Sequence, residues 1–167
     1  MFVLDSHCDT PSQIMRLRNL SVDNPYAHVD FPKLRAGGVD ASFFALYTPE
    51  TMSPDAATRY ALEMLAGIND AVEATPDMAA LANSPEEAYR NKAAGKTSVF
   101  VGMENGLPIQ GSLALLRQFY RMGVRYMTLT HNTDNQICDS AAAGHRWGGL
   151  SPFGRQVVAE MNRLGMI

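Results

Sequence analysis

His7 and Asp9 are the first residues of this chain whose types and spacing suggest chemistry. They close the stretch Phe2-Val3-Leu4-Asp5-Ser6-His7-Cys8-Asp9-Thr10-Pro11, an apolar run that ends in a His-x-Asp pair and is stopped by a proline. In an extended chain, residues two apart point to one side. A neutral imidazole and a carboxylate at a strand's end suit a divalent ion such as zinc. The competing reading is a solvated turn with an incidental histidine, and an isolated pair of this kind does not choose between them. Two further groups weigh on the choice. Glu104 follows the run at residues 97–103, and His131 follows the run at residues 124–130. Taken singly, Glu104 could be a helix-entry acid at a glycine turn and His131 a hydrogen-bonded loop histidine. Chemically, the two oxygens of Glu104 could serve two cations. A pair of cations roughly 3.5–4 Å apart can deprotonate a water and polarise a carbonyl. His131 would then donate to a substrate oxygen or to developing negative charge.

The elements that must position these groups alternate. Residues 39–47 read as a buried strand after the turn Ala36-Gly37-Gly38. Ser53-Pro54-Asp55 opens a helix whose apolar positions are Ala57, Tyr60, Ala61, Met64, Ile68, Ala71 and Val72. Residues 78–81 could be a short strand. Ser84-Pro85-Glu86-Glu87 is a capping box and starts a helix that stops near Gly95. A helix over residues 112–122 ends at Gly123, and Ser151-Pro152 caps another that Gly165 stops. After Pro11 the chain reads as helix or loop to about Leu20, and Met166-Ile167 reads as the start of one more strand. Strand and helix thus alternate four times, which predicts an α/β fold with parallel strands of the (β/α) barrel type. In such barrels the active site lies at the C-terminal ends of the strands. His7 with Asp9, Glu104 and His131 all fall there, and that coincidence outweighs any one residue.

The remaining candidates are weaker. Cys8 should point away from His7 and Asp9 and pack. His28 reads as surface. His145, Arg146 and Trp147 lie in a long loop of the kind that touches ligands. Trp147 could wall a pocket, and Arg125 and Arg146 could meet a carboxylate, although surface solvation suits both arginines as well.

Composition bounds the rest. The 167 residues are 46% hydrophobic and 19% charged, a globular balance that makes one domain over residues 1–167. A net charge of −3 argues against nucleic acid or an anionic membrane as partner. No run approaches the ~20 apolar residues that span a bilayer. With no visible signal peptide and two cysteines outside any CxxC, a cytoplasmic setting is expected.

At these residues the chain resembles a known family, the membrane (renal) dipeptidases, zinc peptidase family M19. The resemblance is carried in order by Asp5-Ser6-His7-Cys8-Asp9-Thr10-Pro11, Gly102-Met103-Glu104-Asn105-Gly106, Leu129-Thr130-His131-Asn132, Gly149-Leu150-Ser151-Pro152-Phe153-Gly154 and the stretch from Met161 to Ile167. It implies a binuclear zinc hydrolase of dipeptides on a (β/α)8 barrel. His7 and Asp9 would hold one zinc, Glu104 would bridge both as a catalytic group, and His131 would contact the substrate. The resemblance also implies a departure. The family's second zinc takes two histidines from later strands, and a closed barrel needs ~250 residues. The chain is therefore expected to be the N-terminal half of such a barrel, to bind one zinc well and to have little activity alone. It should self-associate or take a C-terminal companion chain. Two other readings stay open: a non-catalytic half-barrel binding or assembly module, and an amidohydrolase-like enzyme acting on another amide.

Overall fold

A computed structural model describes residues 1–16 and 18–167. The expected segment from Pro11 to Leu20 includes residue 17, which lies outside the described residues. Strands β1 (Leu4–Cys8), β2 (Ala41–Tyr47), β3 (Ala79–Leu81), β4 (Thr97–Glu104) and β5 (Val124–Met127) form one sheet in the order β1-β2-β4-β3, with β5 also on β4. The pairs β1–β2 and β3–β4 are parallel. Helices α1 (Pro11–Ile14), α2 (Phe31–Ala36), α3 (Pro54–Glu73), α4 (Pro85–Ala93), α5 (Leu113–Arg121) and α6 (Pro152–Leu164) fill the connections. This is the parallel α/β arrangement that the alternation predicts. Every residue of β2 except Tyr47, and every residue of β4 except Glu104, is buried. Parallel strands are covered on both faces, so they read as continuous apolar runs.

The chain divides into two compact units, residues Met1–Ala45 with Glu63–Val101, and Leu46–Leu62 with Gly102–Ile167. In the first, Phe31 of α2 stacks on Phe44 of β2 at 6.4 Å between ring centroids, and Phe43 stacks on Phe100 of β4 at 4.9 Å. Sequence reading did not expect α2. Its signal was nonetheless present: Asp30 caps the helix by accepting from the Lys33 backbone at 2.8 Å, with Pro32 in the first turn. Asp30 is buried, and burial alone would raise its carboxyl. Hydrogen bonds from Lys33 and Asn24 outweigh that and lower it. At α4 the expected capping box forms with a variation. Ser84 accepts from the Glu87 N–H at 3.3 Å, while Glu87 reaches past the cap to the Asn83 N–H at 2.7 Å. The helix or loop expected after Pro11 is only the single turn of α1.

In the second unit, α5 packs on α6, and an ion triad joins them. Arg117 and Arg163 both bind Glu160, at 2.6 Å in each case. Ser112 caps α5, Ser151 caps α6 as expected, and Gly165 ends α6 at φ 70°, in the left-handed region. The strand expected over residues 124–130 stops at Met127: Thr128 keeps one backbone bond to Met103 of β4, and beyond it the Leu129 carbonyl accepts from Gly106 and Asn135. Ile167 pairs with β5 through Met127 and Arg125, both at 2.9 Å, as the anticipated extra strand would. Among the described residues, no helix is long and apolar enough to cross a membrane.

Candidate metal centre

At the end of β1, His7 Nε2 lies 3.4 Å from Asp9 Oδ1, and the two side chains are 38% and 62% exposed. Simple alternation does not produce this pair. Between Asp5 and Cys8 the strand slips against β2: Asp5 sits opposite Ser42 and Cys8 opposite Phe44, so β1 carries an extra residue. A bulge of this kind re-aims the side chains around it. Asp5 braces the slip. Its carboxylate accepts from the His7 backbone at 3.3 Å and from the Ser42 hydroxyl at 2.8 Å. Sequence reading quoted Asp5 but gave it no role. Cys8 packs, as anticipated; it is buried against the Thr10 hydroxyl at 2.8 Å, and burial raises its thiol pKa.

The end of β4 is built differently. Asn105 follows Glu104 in the left-handed region, at φ 76°. Asparagine tolerates that conformation better than most residues. Buried there, Asn105 ties several segments together. Its amide donates to the Thr48 carbonyl at 3.0 Å, and its oxygen accepts from Asn135 at 3.2 Å and from the Leu107 N–H at 3.3 Å. Its own N–H donates to Thr128 at 2.8 Å. Glu104 is thereby held on a rigid turn with its side chain 15% exposed. His131 stands beside it, with Nε2 at 3.4 Å from Glu104 Oε1. The opposite nitrogen, Nδ1, bonds Glu50 Oε1. Sequence reading missed Glu50. The signal was the same one used elsewhere, an acid just past the end of a strand, here β2.

Of the expected residues, His7 and Asp9 meet in the first unit, and Glu104 and His131 meet in the second. An imidazole nitrogen beside a carboxylate oxygen, the pattern of each pair, fits a divalent ion of intermediate hardness. The weaker candidates fall elsewhere. His28 and His145 are exposed. Arg146 is exposed and stacks on Trp147 at 4.4 Å, and the Trp147 indole donates to the Asn135 carbonyl at 3.0 Å. Trp147 does line a surface groove, with Gln136 and Phe153 among its neighbours. Arg125 is half-buried rather than solvated; it donates to the carbonyl of Tyr120 at 2.8 Å and stacks on that ring.

The family model for membrane dipeptidases, peptidase family M19, matches residues 1–167. The chain belongs to that family. Among members of the M19 family, a dipeptidase of Aspergillus oryzae, aclJ, is 34% identical over 165 residues, which cover 93% of this chain and 39% of that relative. An uncharacterized dipeptidase of Schizosaccharomyces pombe is 33% identical, covering 99% of this chain and 45% of the relative. The M19 chain thus spans less than half the length of these relatives. Among solved structures, an M19 metallopeptidase named dipeptidase AC superposes with a TM-score of 0.86 at 23% identity, over 100% of this chain and 55% of that one. A metallopeptidase from Rhodobacter sphaeroides, liganded with a phosphinate mimic of the dipeptide L-Ala-D-Ala, superposes with a TM-score of 0.89 at 22% identity, over 100% of this chain and 57% of that one. At those identities the likeness establishes the fold, which is that of about half of an M19 barrel.

Proposed function

We propose that this chain is the N-terminal half of a zinc-dependent dipeptidase, with His7, Asp9 and Glu104 as metal ligands and His131 as a substrate contact. The observation that carries the reading is the His7–Asp9 pair at the end of β1, in a chain of the M19 family. Zinc bound there would supply a Lewis acid for the scissile carbonyl and would lower the pKa of a water. The chain's own residues do the rest. Glu104 has two oxygens and can serve a second cation whose other ligands come from the C-terminal half of the enzyme. His131 presents Nε2 on the Glu104 side, where the ring, once protonated at both nitrogens, can donate to the substrate oxygen as charge develops. The dipeptide is the partner in this reading, and the companion half-barrel, or a second copy, supplies the missing ligands.

Metal analysis and a dipeptide hydrolysis assay test this, on the chain alone and on a longer protein in which it is completed by the C-terminal half of an M19 barrel. The expected result is one zinc bound by the chain with little turnover, and full turnover with two zincs in the longer protein. Binding should weaken strongly in His7→Ala and in Glu104→Ala. A chain that binds no metal, and folds unchanged in both variants, would instead be a non-catalytic assembly module. Turnover of acylated amino acids in place of dipeptides would move the longer enzyme to another amide substrate.

A further inference from the structure

His131 is gripped from behind. A carboxylate accepts hydrogen bonds and donates none, so the contact with Glu50 Oε1 calls for a ring hydrogen on Nδ1; the Asn132 side-chain amide, 3.0 Å from the same nitrogen, competes with it only as a neutral group. Glu50 is itself held in place. The Asn132 N–H donates to Oε1 at 3.0 Å, and the Tyr47 hydroxyl donates to Oε2 at 3.3 Å. The Tyr47 ring also meets the imidazole edge-on, with centroids 5.2 Å apart and planes at 70°. The Glu50 side chain is only 16% exposed. Its carboxyl is lowered to about 2, chiefly by the Asn132 N–H, with His131 contributing, so it is ionised throughout the neutral range. These contacts leave the ring little rotational freedom and direct Nε2 to the Glu104 side.

The geometry points to Glu50 as the positioning residue for His131: it anchors Nδ1–H, sets the orientation of the ring, and so presents Nε2 at the reaction site. A carboxylate behind a working histidine commonly fixes its tautomer and orientation in this way. The role of Nε2 rests on the dipeptidase reading, whereas the anchoring of the ring does not. The alternative is a loop clamp, in which the pair merely ties the segment after β2 to the segment after β5.

The test uses three variants and two readouts. Nitrogen-15 spectra of histidine-labelled chain report the state of the His131 ring without any need for activity. Glu50→Leu should lose the Nδ1–H signature. Glu50→Asp keeps the charge but withdraws the carboxylate by one methylene, and it should lose the signature too. Glu50→Gln retains an acceptor oxygen at the right reach and should restore it. In the longer, active protein, kcat should fall roughly 10–100-fold in the Leu and Asp variants with KM little changed, and should recover most of the way in Gln. If Glu50→Leu does not fold, the contrast between Asp and Gln decides. A wild-type His131 spectrum in Glu50→Asp or Glu50→Leu overturns the proposal, even where dipeptides are hydrolysed. Altered spectra in a protein that never hydrolyses dipeptides leave the anchoring standing and sink the dipeptidase reading.

Discussion

The end of β1 and the end of β4 carry the same kinds of side chain in opposite settings. At β1, the imidazole of His7 and the carboxylate of Asp9 are both exposed, meet at 3.4 Å and are steadied from behind by Asp5. At β4, Glu104 is mostly covered, sits on a turn pinned by Asn105, and faces a histidine that Glu50 holds. The difference separates two tasks. Exposed ion pairs contribute little to stability, so a cation can replace the His7–Asp9 contact at small cost to the fold. A covered network cannot lose one member without leaving others unpaired, so it keeps its geometry whether or not a ligand is present.

The largest expected effect is at the exposed end. His7→Ala should weaken zinc binding by roughly 100-fold, the upper range for disturbing a metal site, yet shift the unfolding free energy by no more than about 0.5 kcal/mol. Isothermal titration and chemical denaturation of the same sample check both halves of that statement. A large loss of stability would erase the contrast between the two ends. The mirror experiment is Asn105→Ala. It strands the Thr48 carbonyl and Asn135 and places alanine in the left-handed region, so unfolding should become easier by about 2–3 kcal/mol. A denaturant melt that matches the parent would mean that the β4 turn is not the rigid element described.

Asp5→Ala asks how much bracing the exposed end needs. Cation affinity should drop roughly tenfold as the bulge loosens, with the fold retained. The smallest effect is in acid. Glu50 titrates at about 2 in the fold, below its ordinary 4.5. A lowered carboxyl stabilises the folded chain above its unfolded value and loses that contribution as pH falls toward its folded value. Stability should therefore decline from about pH 4.5 down to about 2, and Glu50→Gln should flatten that decline. Glu160 is also lowered to about 2, through Arg163 and Arg117, so the flattening will be partial. Denaturant midpoints across this pH range, parent against variant, measure it.

Sequence by itself determined the alternation of strand and helix, the caps at Ser84 and Ser151, and the placement of His7, Asp9 and Glu104 at strand ends. Those features are local: a period of apolar residues, a capping side chain, a proline or glycine that stops an element. Three things were decided only in the folded molecule. The bulge in β1 depends on which β2 residue each β1 residue meets, and pairing register is not written in one strand. The early end of β5 depends on Gly106 and Asn135, which both donate to the Leu129 carbonyl just past it. The contact of Glu50 with His131 joins residues 81 positions apart, so no spacing rule could propose it. Local patterns place a functional group on an element; only tertiary packing settles which partners orient it.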